Sequence, residues 1–289
     1  MSEPSRIVTD SMSGMSLPDA AVWSPRVTVV LGQNPSVFTG PGTNTYLVGT
    51  GKYPLLLDTG QGVEAYFPVL ERARRETRPT DGFRAIVLTH AHIDHIGGVA
   101  RLLADHGDGP VLKMPWPGHD PQGIHLTAIG EGDVVEAEGA TLRALWTPGH
   151  ACDHLCFYLK EERALFTGDV VLGAGTTVIP DDGDLSDYLA SLGRLLELEV
   201  DVIYPAHGPA IRNPRQKVEE YLAHRALRER QVLNGLRDGA ATARTLVKRI
   251  YTDVPEVLHP AAEMSVRAHL RKLEKDGIAG RDGDLWHLR

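Results

Sequence analysis

From Arg26 onward, hydrophobic positions come in short β-rich runs, each closed by Gly, Pro or Asn. Val27-Thr28-Val29-Val30-Leu31, Thr45-Tyr46-Leu47-Val48 and Leu55-Leu56-Leu57-Asp58 read as successive strands, neighbours in one antiparallel sheet. A helix is expected over about 62–78, and then the strand Ala85-Ile86-Val87-Leu88, ending at Thr89-His90. The apolar spacing from Gly97 to Ala104 begins another helix. Residues 111–165 return to strands at Val111-Leu112, Thr141 to Trp146, Leu155 to Leu159 and Ala164-Leu165-Phe166. A helix at about 185–198 precedes Val202-Ile203-Tyr204, a strand that stops at Pro205-Ala206-His207. Two rounds of alternating strands and helices predict an α/β (α+β) chain, with a sandwich of sheets and helices on the outside.

From Pro214 the pattern turns helical, with helices expected at about 214–238, 242–251 and 260–276. The closing segment, Gly277 to Leu288, reads as two short strands joined at Asp282-Gly283. Three helices and a hairpin are the plan of a winged helix. Residues 1–25 form a Ser-, Met-, Pro- and Gly-containing arm whose later part can pack on the body. The expected units are therefore a flexible arm at 1–25, a body at 26–213 and a small winged-helix-like domain at 214–289.

The chain has 289 residues, 42% of them hydrophobic and 24% charged, enough for one large core or two unequal ones. Its apolar runs last only a few residues, against the roughly 20 needed to cross a bilayer, so no membrane partner is expected. Cys152 and Cys156 are too few for a disulfide framework, and Cys152 reads as a small buried group. Met1 to Ala20 lack a basic start and an apolar segment, so no secretory signal is expected and the cytoplasm fits best. Charge adds one asymmetry. Up to Pro214 there are 15 Lys+Arg against 27 Asp+Glu (−12), and after it 15 against 11 (+4), within a formal net charge of −8.

The densest chemistry is Thr89-His90-Ala91-His92-Ile93-Asp94-His95-Ile96-Gly97-Gly98, with three imidazoles and a carboxylate in six positions at the end of an apolar strand. Residues two apart in an extended segment point the same way, so His90 and His92 can chelate one ion while Asp94 and His95 address another. Imidazole and carboxylate suit Zn, and also Fe or Mn. Further on, His150 after Thr147-Pro148-Gly149, Asp169 after Thr167-Gly168, and His207 after Tyr204-Pro205-Ala206 each stand at a strand end beside Gly or Pro.

This combination resembles the metallo-β-lactamase superfamily, over roughly Val27 to Ile211. The resemblance implies a four-layer αββα sandwich and two divalent metal ions. His90, His92 and His150 would hold the first ion, Asp94, His95 and His207 the second, and Asp169 would bridge them. It also implies a metal-dependent hydrolase in which the ions share a hydroxide and Asp94 orients it and passes a proton to the leaving group. Leu57-Asp58-Thr59-Gly60 matches a further motif, and Asp58 is expected to orient a ligand histidine through its other ring N–H. His154 is expected to hydrogen-bond behind the ligands. Thr176 and Thr177, in the loop after Asp169, are candidate donors to a substrate oxygen.

Within the superfamily the chain is most similar to the β-lactamase-like endoribonuclease branch, through Gly42 to Gly51, Asp169 to Val178 and Ile203 to Pro209. That likeness implies cleavage of phosphodiesters in single-stranded RNA. The alternative is a thioesterase or an ester hydrolase similar to the hydroxyacyl-glutathione hydrolases, acting on a small-molecule ester or thioester. A further alternative is a nucleic-acid-binding protein with a residual metal site, against which the complete set of seven ligands argues. Arg267, Arg271, Lys272 and Lys275 put cations on one side of the third tail helix, where a winged helix would meet phosphates. The same tail serves equally as a wall of the cleft or as a homodimer contact.

Overall fold

The structure is a computed structural model, and it describes residues 12, 14–77, 82–107, 109–252, 256 and 259–289. Seven strands form the first sheet in sequence order: β1 (Ala20–Ser24), β2 (Val27–Leu31), β3 (Asn44–Val48), β4 (Leu55–Leu57), β5 (Ala85–Val87), β6 (Val111–Lys113) and β7 (Leu126–Ala128). The pairs from β1 to β4 are antiparallel, and those from β4 to β7 are parallel. The parallel half needs crossovers, and two of them are helical. One is α1 (Tyr66–Thr77), and the other holds α2 (Ile93–Ile96) and α3 (Val99–His106). The second sheet runs β12-β11-β10-β9-β8, built from β8 (Val134–Ala137), β9 (Ala140–Trp146), β10 (Leu155–Leu159), β11 (Ala164–Gly168) and β12 (Val202–Pro205). α4 (Leu185–Leu195) crosses between β11 and β12, which are parallel.

Strand alternation explains the layers. Val29, Tyr46, Leu57 and Val87 face the second sheet and pack with Leu142, Phe157, Phe166 and Tyr204. Their neighbours Val30, Leu47, Leu56 and Ile86 face the opposite way, onto Tyr66, Leu70, Val99 and Leu102 of the helices. On the second sheet, Leu145, Cys156, Leu165 and Ile203 face outward onto Tyr188 and Leu192 of α4. Both faces of the central strands of each sheet are thus covered, which is why those strands read as near-continuous apolar runs. The result is the expected αββα sandwich.

The tail consists of α5 (Pro214–Arg237), α6 (Ala243–Ile250), α7 (His259–Lys275) and the hairpin β13 (Ala279–Asp282) and β14 (Leu285–Leu288). It has its own core, with Leu236, Leu246, Val266, Leu270 and Trp286 at its centre. It is also joined to the sandwich, because Val218 and Tyr221 of α5 and Ala268 of α7 pack into the layer beneath α4.

Three differences from the sequence reading concern local elements. Residues 1–11 and 13 of the expected arm lie outside the described residues, but its last part is not loose: Ala20–Ser24 form β1, the edge of the first sheet. The strands β7 and β8 are short and largely exposed, and α2 is a single turn, so none shows in hydrophobic periodicity. Cys152 is exposed, whereas Cys156 is buried. Among the described residues, no helix is long and apolar enough to cross a membrane.

A buried ion pair ties the sheets together. Lys113, at the end of β6, donates to Asp153 Oδ2 at 2.5 Å, to Asp120 Oδ1 at 2.6 Å and to the Met114 carbonyl at 2.7 Å. Asp153 belongs to the loop that also carries His150, and both members of the pair are fully buried. Lys113→Met leaves that carboxylate buried without its cation and is expected to lower stability by about 3–5 kcal/mol. Adding Asp153→Leu should recover much of the loss. Denaturant midpoints of the two variants check this, and a Lys113→Met protein as stable as the parent would contradict it.

Candidate metal centre

Strands β4, β5, β11 and β12 end on one edge of the sandwich, and each is followed by a candidate residue. Asp58 follows β4, the run from Thr89 follows β5, Asp169 follows β11 and His207 follows β12. His150 comes from the loop between β9 and β10. Close glycine packing makes the crowding possible. A Cβ on Gly98 would lie 2.3 Å from the Thr59 carbonyl, and Thr59 in turn grips α2 through N–H and O–H bonds to the His95 carbonyl, both 2.8 Å. Gly149 has φ 130°, and a Cβ there would lie 2.3 Å from the Tyr188 backbone nitrogen. Only glycine fits.

Two groups of side chains converge. His90, His92, His150 and Asp169 bring their donor atoms within 4.8 Å of one another, and so do Asp94, His95 and His207. In the first group, His92 Nδ1 lies 3.0 Å from His90 Nε2 and 2.9 Å from His150 Nε2. The far ring nitrogens are already engaged. His150 Nδ1–H donates to the Val178 carbonyl at 2.8 Å, and His90 Nδ1–H to Thr89 Oγ1 at 3.0 Å. Both Nε2 atoms therefore present lone pairs to His92 Nδ1, and at most one hydrogen is available among the three nitrogens. A cation at their common focus satisfies all three.

In the second group, Asp94 Oδ2 lies 3.4 Å from both His95 Nε2 and His207 Nε2 and accepts the Thr43 hydroxyl at 3.0 Å. Asp169 reaches both groups. Its Oδ2 is 3.4 Å from His150 Nε2, and its Oδ1 is 3.1 Å from His207 Nε2 and 3.6 Å from His95 Nε2. His95 Nε2 and Asp169 Oδ1 are buried and form no hydrogen bond. Buried polar atoms without hydrogen bonds are expensive, and two of them facing one gap mark a place for a positive charge. The residues present therefore fit divalent cations.

Electrostatics divides the groups in the same way. Burial pushes the His150 imidazole down to about 4 and the His90 imidazole well below its ordinary value, so both present neutral nitrogens. Burial acts against ionisation of Asp169 too, but the imidazoles of His207 and His95 outweigh it and hold the carboxyl well below the usual range. Burial of Asp94 is likewise outweighed by His95 and His207. Conversely, the carboxylates around His207 overcome its burial and raise it to about 9.

Behind the donor atoms stands a ring of orienting groups. Asp58 sits in the left-handed region at φ 58°, a conformation that Asp tolerates better than most residues. Its Oδ2 accepts His95 Nδ1–H at 2.8 Å, and its Oδ1 accepts the Thr89 backbone N–H at 2.8 Å. His154 accepts the Asp169 backbone N–H through Nε2 at 3.1 Å and donates from Nδ1 to Thr147 Oγ1 at 3.0 Å. Thr177 donates its hydroxyl to the carbonyls of Asp169, at 2.8 Å, and Val170, at 3.1 Å, and is buried. That hydrogen is committed to main chain rather than offered to a substrate. Thr176 is half-buried beside it.

Sequence reasoning assigned no role to Thr43, Thr89 or Asn44. Asn44 donates its side-chain amide to the carbonyls of Pro205, at 2.9 Å, and Gly208, at 2.8 Å, lashing the start of β3 to the end of β12. The one available signal was a polar Thr-Asn-Thr run opening an otherwise apolar strand.

The tail cations lie elsewhere than in a phosphate-ready row. Arg271 pairs with Asp181 at 2.6 Å and Lys275 with Asp184 at 3.1 Å, both on the sandwich. Arg267 pairs with Glu263, and Lys272 with Glu229 and Asp276.

Comparisons with known proteins agree with this geometry. A model of the metallo-beta-lactamase superfamily matches residues 38–207, and one of the beta-lactamase associated winged helix domain matches residues 242–286. The chain is 40% identical over 261 residues to the beta-lactamase-like protein 2 homolog of Caenorhabditis elegans, a match covering 88% of this chain and 86% of that protein. It is 41% identical over 254 residues to the atrochrysone carboxyl ACP thioesterase of Aspergillus fumigatus, covering 83% and 78%. Among solved structures, a metallo-beta-lactamase family protein of Thermus thermophilus superimposes with a TM-score of 0.79 at 27% identity, over 93% of this chain and all of that one.

Asp58→Asn keeps a side chain of the same size but withdraws the carboxylate from His95 Nδ1. Affinity for a divalent ion is expected to fall about 10- to 100-fold, as read by competition with a chromogenic chelator. Unchanged affinity would mean that Asp58 has no part in holding His95.

Proposed function

The chain belongs to the metallo-β-lactamase superfamily and is one of its hydrolases; from that premise we propose that it hydrolyses an acyl thioester at a two-metal centre. His90, His92 and His150 hold one cation in this reading, Asp94, His95 and His207 the other, with Asp169 between them. The observation that carries it is the pair of buried atoms that form no hydrogen bond, His95 Nε2 and Asp169 Oδ1, at the meeting point of two convergent donor groups. Five imidazoles with two carboxylates favour zinc among the divalent ions.

Two such cations would polarise the substrate carbonyl and bring the pKa of a water to about 7. The chain's own residues do the rest. Thr43 holds Asp94 Oδ2, and among the described residues no hydrogen bond engages Oδ1. Oδ1 is therefore the atom to take the proton of the attacking water and return it to the departing thiolate. Asp58 and Thr89 keep the Nδ1–H of His95 and His90 turned away from the centre, so that each Nε2 points in. His154 and Thr177 hold Asp169 by its backbone N–H and carbonyl, which leaves its carboxylate free to face both groups.

Two facts favour a thioester over RNA. The Aspergillus fumigatus relative is named as a thioesterase acting on a carrier-protein substrate. The cations expected to meet phosphates, Arg267, Arg271, Lys272 and Lys275, are each paired with a carboxylate of this chain.

The test is the zinc-loaded protein assayed on an acyl thioester of N-acetylcysteamine, a single-stranded RNA and a β-lactam, each beside Asp169→Ala. Thioester hydrolysis is expected, falling at least about 100-fold in Asp169→Ala with the loss of one metal ion per chain. RNA cleavage without thioesterase activity would overturn the substrate. An Asp169→Ala protein with both ions and full turnover would overturn the two-metal reading.

A further inference from the structure

α5 carries a buried cation that the chemistry above does not use. Arg225 is 2% exposed, and no carboxylate among the described residues lies within ion-pair distance of it. Its guanidinium instead donates to the Thr177 carbonyl and lies 5.2 Å from the centroid of the Tyr188 ring. A guanidinium taken out of water with no carboxylate to balance it is costly to keep, so what it holds in place is informative.

It holds the segment that joins two candidate ligands. Thr177 donates its hydroxyl to the Asp169 carbonyl, and the carbonyl of the next residue, Val178, accepts His150 Nδ1–H. From the same helix, Tyr221 Oη accepts the Leu172 N–H at 3.0 Å and donates to the Gly175 carbonyl at 3.2 Å. α5 thus grips the loop at its middle and at its far end. α4 adds Tyr188, whose hydroxyl donates to the Val170 carbonyl at 2.7 Å.

We propose that Arg225 is a positioning residue for the metal centre: by gripping the Thr177 carbonyl it sets Asp169 and His150 in register, so the C-terminal helices help build the active site. The effect is mechanical. A ring nitrogen whose N–H finds its carbonyl in place points its lone pair in one direction, and small misplacements of such groups are amplified in the rate. This inference rests on the metal-centre reading of the preceding subsection.

The experiment compares the full-length parent with Arg225→Met, Arg225→Lys, Thr177→Val and Lys275→Ala, each loaded with cobalt(II). The visible ligand-field bands and the kinetics on the thioester are then recorded. Arg225→Met keeps the apolar stem against Tyr188 and loses the donor. It is expected to shift the cobalt bands and to lower kcat about 10- to 100-fold while KM stays within about twofold. Lysine can still donate to the carbonyl, so Arg225→Lys should recover part of both signals. Thr177→Val probes the same relay without substituting a residue of α5 and should shift the bands in the same direction. Lys275→Ala breaks a different contact between tail and sandwich and should leave the spectrum as in the parent. If Arg225→Met and Thr177→Val keep the parental spectrum and kcat, or if Lys275→Ala changes them equally, the positioning role is wrong. A parent that takes up no cobalt would instead bring down the metal-centre reading itself.

Discussion

Everything at the working edge of this molecule depends on holding lone pairs together. Five imidazole nitrogens and two carboxylates face one gap, and such donors repel one another unless positive charge lies between them. The rest of the structure makes that crowding tolerable. Central strands buried on both faces give rigid strand ends, and glycines at positions 98 and 149 let the loops close on one another. Side chains behind the donors then remove the rotational freedom each donor would use to escape. Asp58 fixes His95, Thr89 fixes His90, the Val178 carbonyl fixes His150, and Thr43 fixes Asp94.

The tail belongs to the same construction. Its charge, +4 against −12 for the preceding residues, invites a nucleic-acid reading, yet much of that charge is consumed in contacts with the chain itself. Arg271 and Lys275 reach Asp181 and Asp184 on the sandwich, and Arg225 reaches the loop behind Asp169. Opposite charges on two units of one chain thus serve to dock them. As proposed, α5 braces a catalytic centre, and the exposed cations of the tail matter less than its buried one.

What could be read from the sequence follows a physical rule. Strands β2 to β6 and β10 to β12 were legible because burial makes them near-continuous apolar runs, and β9 through its buried Leu142, Ala144 and Leu145, whereas β1, β7 and β8 were not because most of their residues are partly or fully exposed. The donor residues were legible because three imidazoles and a carboxylate in six positions cannot be explained by packing, and the isolated His150, Asp169 and His207 joined them through their shared setting at strand ends and the family resemblance. Their partners were not. Thr89 touches Asp58 across 31 positions, Thr43 touches Asp94 across 51, and Asn44 touches Pro205 across 161. Threonine, asparagine and arginine at such separations carry no local pattern, so nothing in the sequence singles out Arg225. Thr177 showed the opposite error: its hydroxyl drew notice as a substrate donor, and the fold turns it onto main-chain carbonyls.

The proposed centre stands on two cations sharing Asp169. Anomalous diffraction from crystals of the zinc-loaded protein, recorded on both sides of the zinc absorption edge, tests it most directly. Two peaks roughly 3.5–4 Å apart are predicted, one among His90, His92 and His150 and the other among Asp94, His95 and His207, with the Asp169 carboxylate between them. A single peak, or peaks away from these residues, would contradict it.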